Sequence, residues 1–370
     1  MSPTDASLLE VDTPALLVDR DRLDANISRF AAMASRTGVA LRPHIKTHKT
    51  LEIAALQVQA GASGITCAKL GEAEVYADAG FTDVFVAYPL IGQEKARRAA
   101  QLARRCTMTV GVESVTGIQQ LSMAASEADV LLNVRLELDS GLRRTGVAAA
   151  EALELCRLIL AAPALHLDGI FTFRGVSFPG APTRESDVLG QQEGEWMVAQ
   201  AELLRAAGIP INAVSVGSTF TAAAAACVPG VTEVRPGTYV FFDRMTTKGA
   251  ANTLDEIALS VLATVVSRPA QDMAIIDAGS KTFSGDVVPA AVGLKGYGVT
   301  VDGHSGILER MNEEHGFVRL ASGFVPAIGD HLAFFPNHVC TTVNLSDELV
   351  VMQQGIVTDR WRVAARGRRQ

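Results

Sequence analysis

A chain of 370 residues with 48% apolar and 20% charged side chains has the balance of a globular protein with a large core, and it is too long for one small domain. Its 33 basic and 40 acidic residues leave a net charge of −7, which argues against nucleic acid or an anionic membrane surface as the main partner. No apolar run approaches the roughly 20 residues that cross a bilayer, and the start "MSPTDASLLEVDTP" lacks the charged and apolar regions of a signal peptide. The five cysteines, Cys67, Cys106, Cys156, Cys227 and Cys340, are odd in number and scattered, so a reducing, cytoplasmic setting with free thiols is expected.

The first strand-like run, "ALLVDRD" (15–21), precedes any repeating pattern. From residue 41 short strand-like runs alternate with longer helix-like ones. The strand candidates are "LRPHIK" (41–46), "GITCAK" (64–69), "DVFVAYP" (83–89), "MTVGVE" (108–113), "VLLNVRLEL" (130–138), "LDGIFTF" (167–173), "AVSVGST" (213–219) and "EVRPGTY" (233–239). Between them lie Ala- and Leu-rich helical segments such as "TLEIAALQVQAG", with Leu51, Ala54, Ala55 and Val58 on one stripe. Eight β-then-α units favour a closed (β/α)8 TIM-type barrel over an open doubly wound sheet. No G-x-G-x-x-G follows a strand, which weakens a dinucleotide-binding reading. Beyond residue 250 the rhythm stops, and runs such as "ALSVLATVVSRP", "MAIIDAGS" and "DHLAFFPNHVCTTVNL" predict a β-rich C-terminal domain. The expected division is a barrel over 22–248 and a β-rich domain formed by 1–21 and 249–370. The basic end "RGRR" reads as a frayed tail.

Barrel enzymes place their chemistry at the C-terminal ends of the strands. "RPHIKTHK" (42–49) sets Lys46 at the end of the first strand. The seventh strand ends in Gly217-Ser218-Thr219 and the eighth in Gly237-Thr238-Tyr239. Glycine lets the backbone approach closely, while hydroxyls and amides cradle an anion. The loops after strands seven and eight commonly build a phosphate site in this fold. One such cluster alone is more simply a capped turn; two in register favour phosphate. A phosphate site facing a lysine at a barrel mouth points to pyridoxal 5'-phosphate held as a Schiff base. Arg42, His44, His48 and Lys49 are expected to lower the Lys46 pKa. Lys69, at the end of the second strand, is the competing lysine, and a solvent-facing Lys46 is the plainer alternative.

These stretches, with "TPALLVDRDRLDANI" (13–27), "LDSGLRRTGV" (138–147), "VGSTFT" (216–221), "EVRPGTYVFFD" (233–243), "DAGSKTFSGD" (277–286), "NEEHG" (312–316) and "GDHLAFFPNHVCTTVNL" (329–345), are similar to a known family. The chain resembles the D-threonine aldolase / D-serine dehydratase group of fold-type III, alanine racemase-like pyridoxal-phosphate enzymes. The resemblance implies that Lys46 carries the cofactor and that Gly217, Ser218, Thr219, Gly237, Thr238 and Tyr239 surround its phosphate. It places Arg144 near the phenolic oxygen and a divalent metal at His338 and Cys340. By spacing alone His-x-Cys is a weak signal. On a strand, however, the two side chains would share a face, and imidazole with thiolate suits Zn2+ better than Mn2+ or Mg2+. One departure stands out. Many relatives read Tyr-x-Gly-His at the sixth strand's end, where this chain has Phe173, Arg174, Gly175 and Val176. Arg174 is a candidate for a substrate carboxylate, or an ordinary solvent-facing arginine.

The implied activity is a lyase reaction on a D-3-hydroxy-amino acid, with no nucleic-acid or membrane partner, in a homodimer. β-Elimination would give a 2-oxo acid and ammonia, as in D-serine, D-threonine or 3-hydroxyaspartate dehydratases. The alternative, retro-aldol cleavage, would give glycine and an aldehyde. A racemase needs a second base, usually a tyrosine, and none of Tyr76, Tyr88, Tyr239 and Tyr297 lies in a racemase-like motif. A non-catalytic cofactor-binding protein would be a bare barrel, which the long segment beyond residue 250 argues against.

Overall fold

The computed structural model describes residues 10–175, 185–287 and 289–370. Strand β1 (Ala15–Asp19) leads into the helix Arg20–Thr37, which Asp19 starts by accepting from the Arg22 amide and Gly38, at φ 71°, ends. Leu23, Ile27, Phe30, Met33 and Ala34 form its buried face. Eight strands follow, each paired in parallel with its neighbours: β2 (Ala40–Leu41), β3 (Ile65–Cys67), β4 (Asp83–Pro89), β5 (Thr107–Val112), β6 (Leu132–Glu137), β7 (Leu165–Phe171), β8 (Ala213–Val216) and β9 (Glu233–Val234). Their order is β2-β9-β8-β7-β6-β5-β4-β3. A parallel bridge between His44 and Thr66, with the Thr66 amide donating to Pro43 at 2.7 Å, joins the two ends and closes the barrel.

Several strands are shorter than the sequence suggests, two of them by most of their length. "LRPHIK" is a strand only through Leu41, because Pro43 has no N–H to offer the ladder, and Ile45–Thr47 turns as a 3-10 helix. "EVRPGTY" likewise stops before Pro236, and Thr238–Val240 forms a second such turn. The helix Leu51–Gln59 also differs. Of the expected stripe it buries Ala54 and half-buries Leu51, while Ala55 and Val58 face solvent; Ile53 and Gln57 complete the buried face, Gln57 Nε2 donating to the buried Tyr239 hydroxyl at 2.9 Å.

Charged side chains fill the barrel interior around one carboxylate. Glu233 accepts from Arg42 Nε and Arg135 Nη1, both at 2.6 Å, and from the Ser215 hydroxyl. Arg42 also pairs with Asp83 at 2.7 Å, and Arg135 with Asp168 at 2.6 Å. Above them the buried Arg235 donates to Ser215 and to the Thr172 carbonyl, its guanidinium 5.4 Å from the Phe171 ring centre.

The second sheet is mostly antiparallel. It contains β1 with β10 (Leu259–Ala270), β11 (Met273–Ile276), β12 (Gly298–Thr300), β13 (Gly306–Met311), β14 (Gly316–Leu320), β15 (His331–Pro336), β16 (Glu348–Gln353) and β17 (Ile356–Arg362). The 12-residue β10 pairs with β15 along its first half and β11 along its second, so six strands close on themselves. On β10's other flank β1, β16 and β17 extend the sheet, β1 pairing antiparallel with β10 and parallel with β16. The "RGRR" tail is not frayed. The Gln370 carbonyl accepts from the Gly71 amide at 2.8 Å, and the Ala365 amide donates to the Lys49 carbonyl. No helix among the described residues is long and apolar enough to cross a membrane.

Burial disfavours the Glu233 charge, but Arg135, Arg42 and Ser215 outweigh it and hold the carboxyl at about 2, below its ordinary 4.5. Its stabilisation should therefore be complete above pH 4.5 and be lost as pH falls towards 2. Glu233→Ala leaves two buried arginines short of an anion and should cost about 3–5 kcal/mol, measured by urea denaturation at neutral pH.

Candidate active site

Lys46 lies on the 3-10 turn just beyond β2, between the fully buried Ile45 and Thr47. Its Nζ is 5.9 Å from the Phe173 ring centre, and the Arg144 guanidinium is 4.8 Å from the same ring. The aromatic face thus lies near two cations. Burial is the main force lowering the Lys46 pKa; Arg144 and Arg235 push the same way, Cys340 and Glu72 against. The cations of "RPHIKTHK" are not the source. Arg42 is paired with Glu233 and Asp83, and Lys49 with Glu72 and Asn344. Burial drives His44 well below its ordinary pKa and His48 to about 3, so both are neutral. Lys69 stands instead over the Tyr88 ring, 3.4 Å from its centre.

The two glycine–hydroxyl loops meet each other. The Tyr239 amide donates to Thr219 Oγ1 at 3.2 Å, and the Ser218 amide to Thr221 Oγ1 at 2.9 Å. Gly217 takes φ +82°, which favours glycine. At Gly237 a Cβ would lie 2.9 Å from the His44 carbonyl and 3.1 Å from Thr47 Oγ1, so only glycine lets this loop press against the Lys46 turn. Tyr239 contributes its backbone alone. Its ring is buried 4.3 Å from that of Phe30, and its hydroxyl is taken by Gln57. A buried carboxyl, Glu193, accepts from Thr221 Oγ1 at 2.9 Å and from the Arg174 amide at 3.3 Å. Burial raises its pKa. Nothing in "QQEGEW" marked it beforehand, because an acidic residue on an Ala-rich helix reads as solvated. The Arg174 guanidinium binds Gln192 Oε1 at 3.2 Å, so Phe173, not Arg174, is brought to Lys46 and Arg144. Val176 lies outside the described residues.

"NHVC" is not a strand. His338 precedes the helix Val339–Asn344, and Cys340 is in its first turn. The buried Asp243 makes this start possible, since its Oδ2 accepts from the Val339 amide at 3.1 Å and meets His338 Nδ1 at 3.0 Å. Asp243, the last residue of "EVRPGTYVFFD", was not singled out by any spacing. Cys340 Sγ is 3.3 Å from Thr47 Oγ1 and 3.9 Å from Thr238 Oγ1, which sets it between the Lys46 turn and the Gly237 loop. Burial opposes ionisation of this thiol, but His338, Lys46 and Thr47 overcome it and lower its pKa. Burial also opposes the His338 charge, and Cys340 with Asp243 overcome that, raising its pKa well above the ordinary value.

These residues fit both groups implied by the sequence. With Asp243 engaging Nδ1, Nε2 is the nitrogen through which His338 would hold a metal, the usual carboxylate–histidine arrangement, beside a thiol whose pKa is lowered. No cluster of three or more His, Cys, Asp or Glu suited to a metal occurs among the described residues; a catalytic metal held by two side chains would leave positions for water and substrate. For the cofactor, the Lys46 amine with its lowered pKa, the Gly217 and Gly237 loops and Arg144 would supply a nucleophile, an anion cradle and a cation.

A parallel barrel joined to a largely antiparallel domain, with the lysine from one and the His338–Cys340 pair from the other, defines an alanine racemase-like two-domain enzyme. Comparison with known families agrees: "Alanine racemase, N-terminal domain" matches residues 18–245 and "Putative serine dehydratase domain" residues 258–352. The chain belongs to the alanine racemase N-terminal domain family, in the branch that carries the serine dehydratase domain. It is 38% identical to the D-threo-3-hydroxyaspartate dehydratase of Delftia sp. (strain HT23), over 91% of this chain and 93% of that protein. The structure of D-threonine aldolase from Filomicrobium marinum is similar at TM-score 0.89 and 32% identity, covering 97% of both chains. A cysteine-to-alanine mutant of D-threo-3-hydroxyaspartate dehydratase, solved in a metal-free form, is similar at TM-score 0.89 and 36% identity, covering 97% of this chain and 99% of that one.

Gly237→Ala should overpack the Lys46 turn and destabilise the protein by about 1–3 kcal/mol, seen as a lowered urea midpoint with an unchanged slope.

Proposed function

We propose that the protein is a pyridoxal-phosphate- and divalent-metal-dependent lyase that eliminates water from a D-3-hydroxy-amino acid, yielding a 2-oxo acid and ammonia. The observation that carries this reading is the Cys340 sulfur, 3.3 Å from Thr47 on the turn that bears Lys46. A metal held by His338 and Cys340 would therefore share the barrel mouth with the reactive lysine. The metal-free cysteine mutant of the similar dehydratase supports a metal role for a cysteine, and the thiolate favours Zn2+ over Mn2+ or Mg2+. The family resemblance adds a cytoplasmic homodimer to the proposal.

When bound, the cofactor supplies an electron sink for negative charge at the substrate α-carbon, and the metal a Lewis acid for its β-hydroxyl. Lys46 would remove the α-proton, and its lowered pKa keeps more of the amine in the basic form. Arg144 and Arg235 hold positive charge beside it. Asp243 fixes the His338 ring, and Thr47 and Thr238 flank the Cys340 thiolate. Loss of the β-hydroxyl as water leaves a 2-amino-alkene, whose hydrolysis gives the 2-oxo acid and ammonia. The roles of Gly217, Ser218, Thr219, Gly237 and Thr238 are to receive the phosphate. Phe173, where many relatives carry a phenol, offers no proton at this point.

Retro-aldol cleavage is the second reading, supported by the likeness to D-threonine aldolase. Product analysis on a panel of D-3-hydroxy-amino acids separates the two. Ammonia with a 2-oxo acid is expected; glycine with an aldehyde would replace elimination by aldol cleavage. Borohydride should fix the cofactor on Lys46, leaving Lys46→Ala colourless and Lys69→Ala yellow, and the reverse pattern would overturn the assignment. Activity should rise with pH through an apparent pKa below lysine's ordinary 10.5. Asp243→Asn should weaken Zn2+ binding about 10–100-fold, read by calorimetric titration of the metal-stripped protein.

A further inference from the structure

The "RPHIKTHK" segment ends in a lysine that the proposed chemistry does not use. Lys49 is buried, and its backbone takes φ 53°, a left-handed conformation that a non-glycine residue keeps only when its surroundings impose it. Its ammonium donates to Asn344 Oδ1 at 2.7 Å and lies 3.3 Å from Glu72 Oε1. The other Glu72 oxygen accepts from the amides of Ala68, at 2.7 Å, and Lys69, at 3.2 Å, which anchors it to the start of the helix Leu70–Asp78. Asn344 is the last residue of the helix that carries Cys340.

Two residues before Lys49, Thr47 touches Cys340 in the first turn of that same helix. One short segment of the barrel therefore grips both ends of the helix from the β-rich domain, with Lys46 beside Thr47. A buried ammonium is costly to desolvate, and an apolar side chain of similar volume would fill the space without that cost. The charge therefore answers a need for direction: it selects Asn344 and Glu72 at once and ties the helix to the barrel wall.

We propose that Lys49 is a positioning residue that sets where the His338–Cys340 pair stands relative to Lys46, so that metal affinity depends on a side chain that touches neither ligand. The proposal rests on the metal reading above. Because binding linkage is reciprocal, the same staple couples occupancy of the metal site to the placing of the lysine turn.

The test is calorimetric titration of Zn2+ into cofactor-loaded, metal-stripped protein, comparing wild type with Lys49→Met, Asn344→Ala and Cys340→Ser. Lys49→Met and Asn344→Ala should each raise the Zn2+ dissociation constant about tenfold, the lower end of the effect of residues that orient metal ligands. Wild-type Zn2+ affinity in both variants, or a lowered melting temperature with unchanged affinity, would overturn the proposal and leave Lys49 a matter of stability alone. Asn344 is only half-buried, so Asn344→Ala decides the question should Lys49→Met not fold. Equal Zn2+ binding by wild type and Cys340→Ser would instead remove the metal reading itself, and the positioning role with it.

Discussion

The barrel depends on a carboxylate that water does not reach. β2 and β9 are two residues long, too short for a ladder to hold them in register unaided. Glu233, on β9, compensates by binding Arg42 just past β2, Arg135 on β6 and Ser215 on β8. Three pieces of the barrel thereby converge on two oxygens. The short strands have a use: each gives way early to a 3-10 turn, and these turns bring Lys46 and the Gly237 loop to the mouth. Buried charge stabilises little by itself, but it strongly penalises any arrangement that leaves one partner alone.

The site is shared between the two sheets in the same spirit. Asp243, on the barrel side of the junction, both caps the helix Val339–Asn344 and orients His338. The β domain supplies the His338–Cys340 pair, and the barrel determines where it points. This division suits a family in which one barrel mouth supports dehydration in some members and aldol cleavage in others. Phe173, beside Lys46 and Arg144, is one place where this chain departs at the edge of that mouth.

Much of this was legible in the sequence because it rests on local pattern. The alternation of strand and helix announced the barrel, and the Gly-hydroxyl loops and Lys46 fell where such barrels keep their chemistry. Less legible were features set by partners far along the chain. "NHVC" looked like a strand continuing "LAFFP", yet a carboxylate nearly a hundred residues earlier starts a helix there. Arg42 and Lys49 looked like a basic setting for Lys46, while the acids that neutralise them, Glu233, Asp83 and Glu72, are distant in sequence. Tyr239 sat within a promising loop, but whether a ring turns towards a mouth or a core is decided by packing against Phe30, which no spacing reports. Glu193 was invisible for the same reason.

The placement of β1 has a consequence for the order in which the molecule is made. It is the first strand among the described residues, yet its partners are β10 and β16, reached only after the whole barrel has been synthesised. A nascent chain holds every residue of the barrel while β1 still waits, a short apolar segment without a sheet. Such distant pairing is slow to form and late to be rewarded, and a chain made from its N-terminus folds its earlier domain first. The second sheet must therefore close around β1 last. The helix bearing His338 and Cys340 docks in that final step, so the lysine turn is in place before that pair arrives.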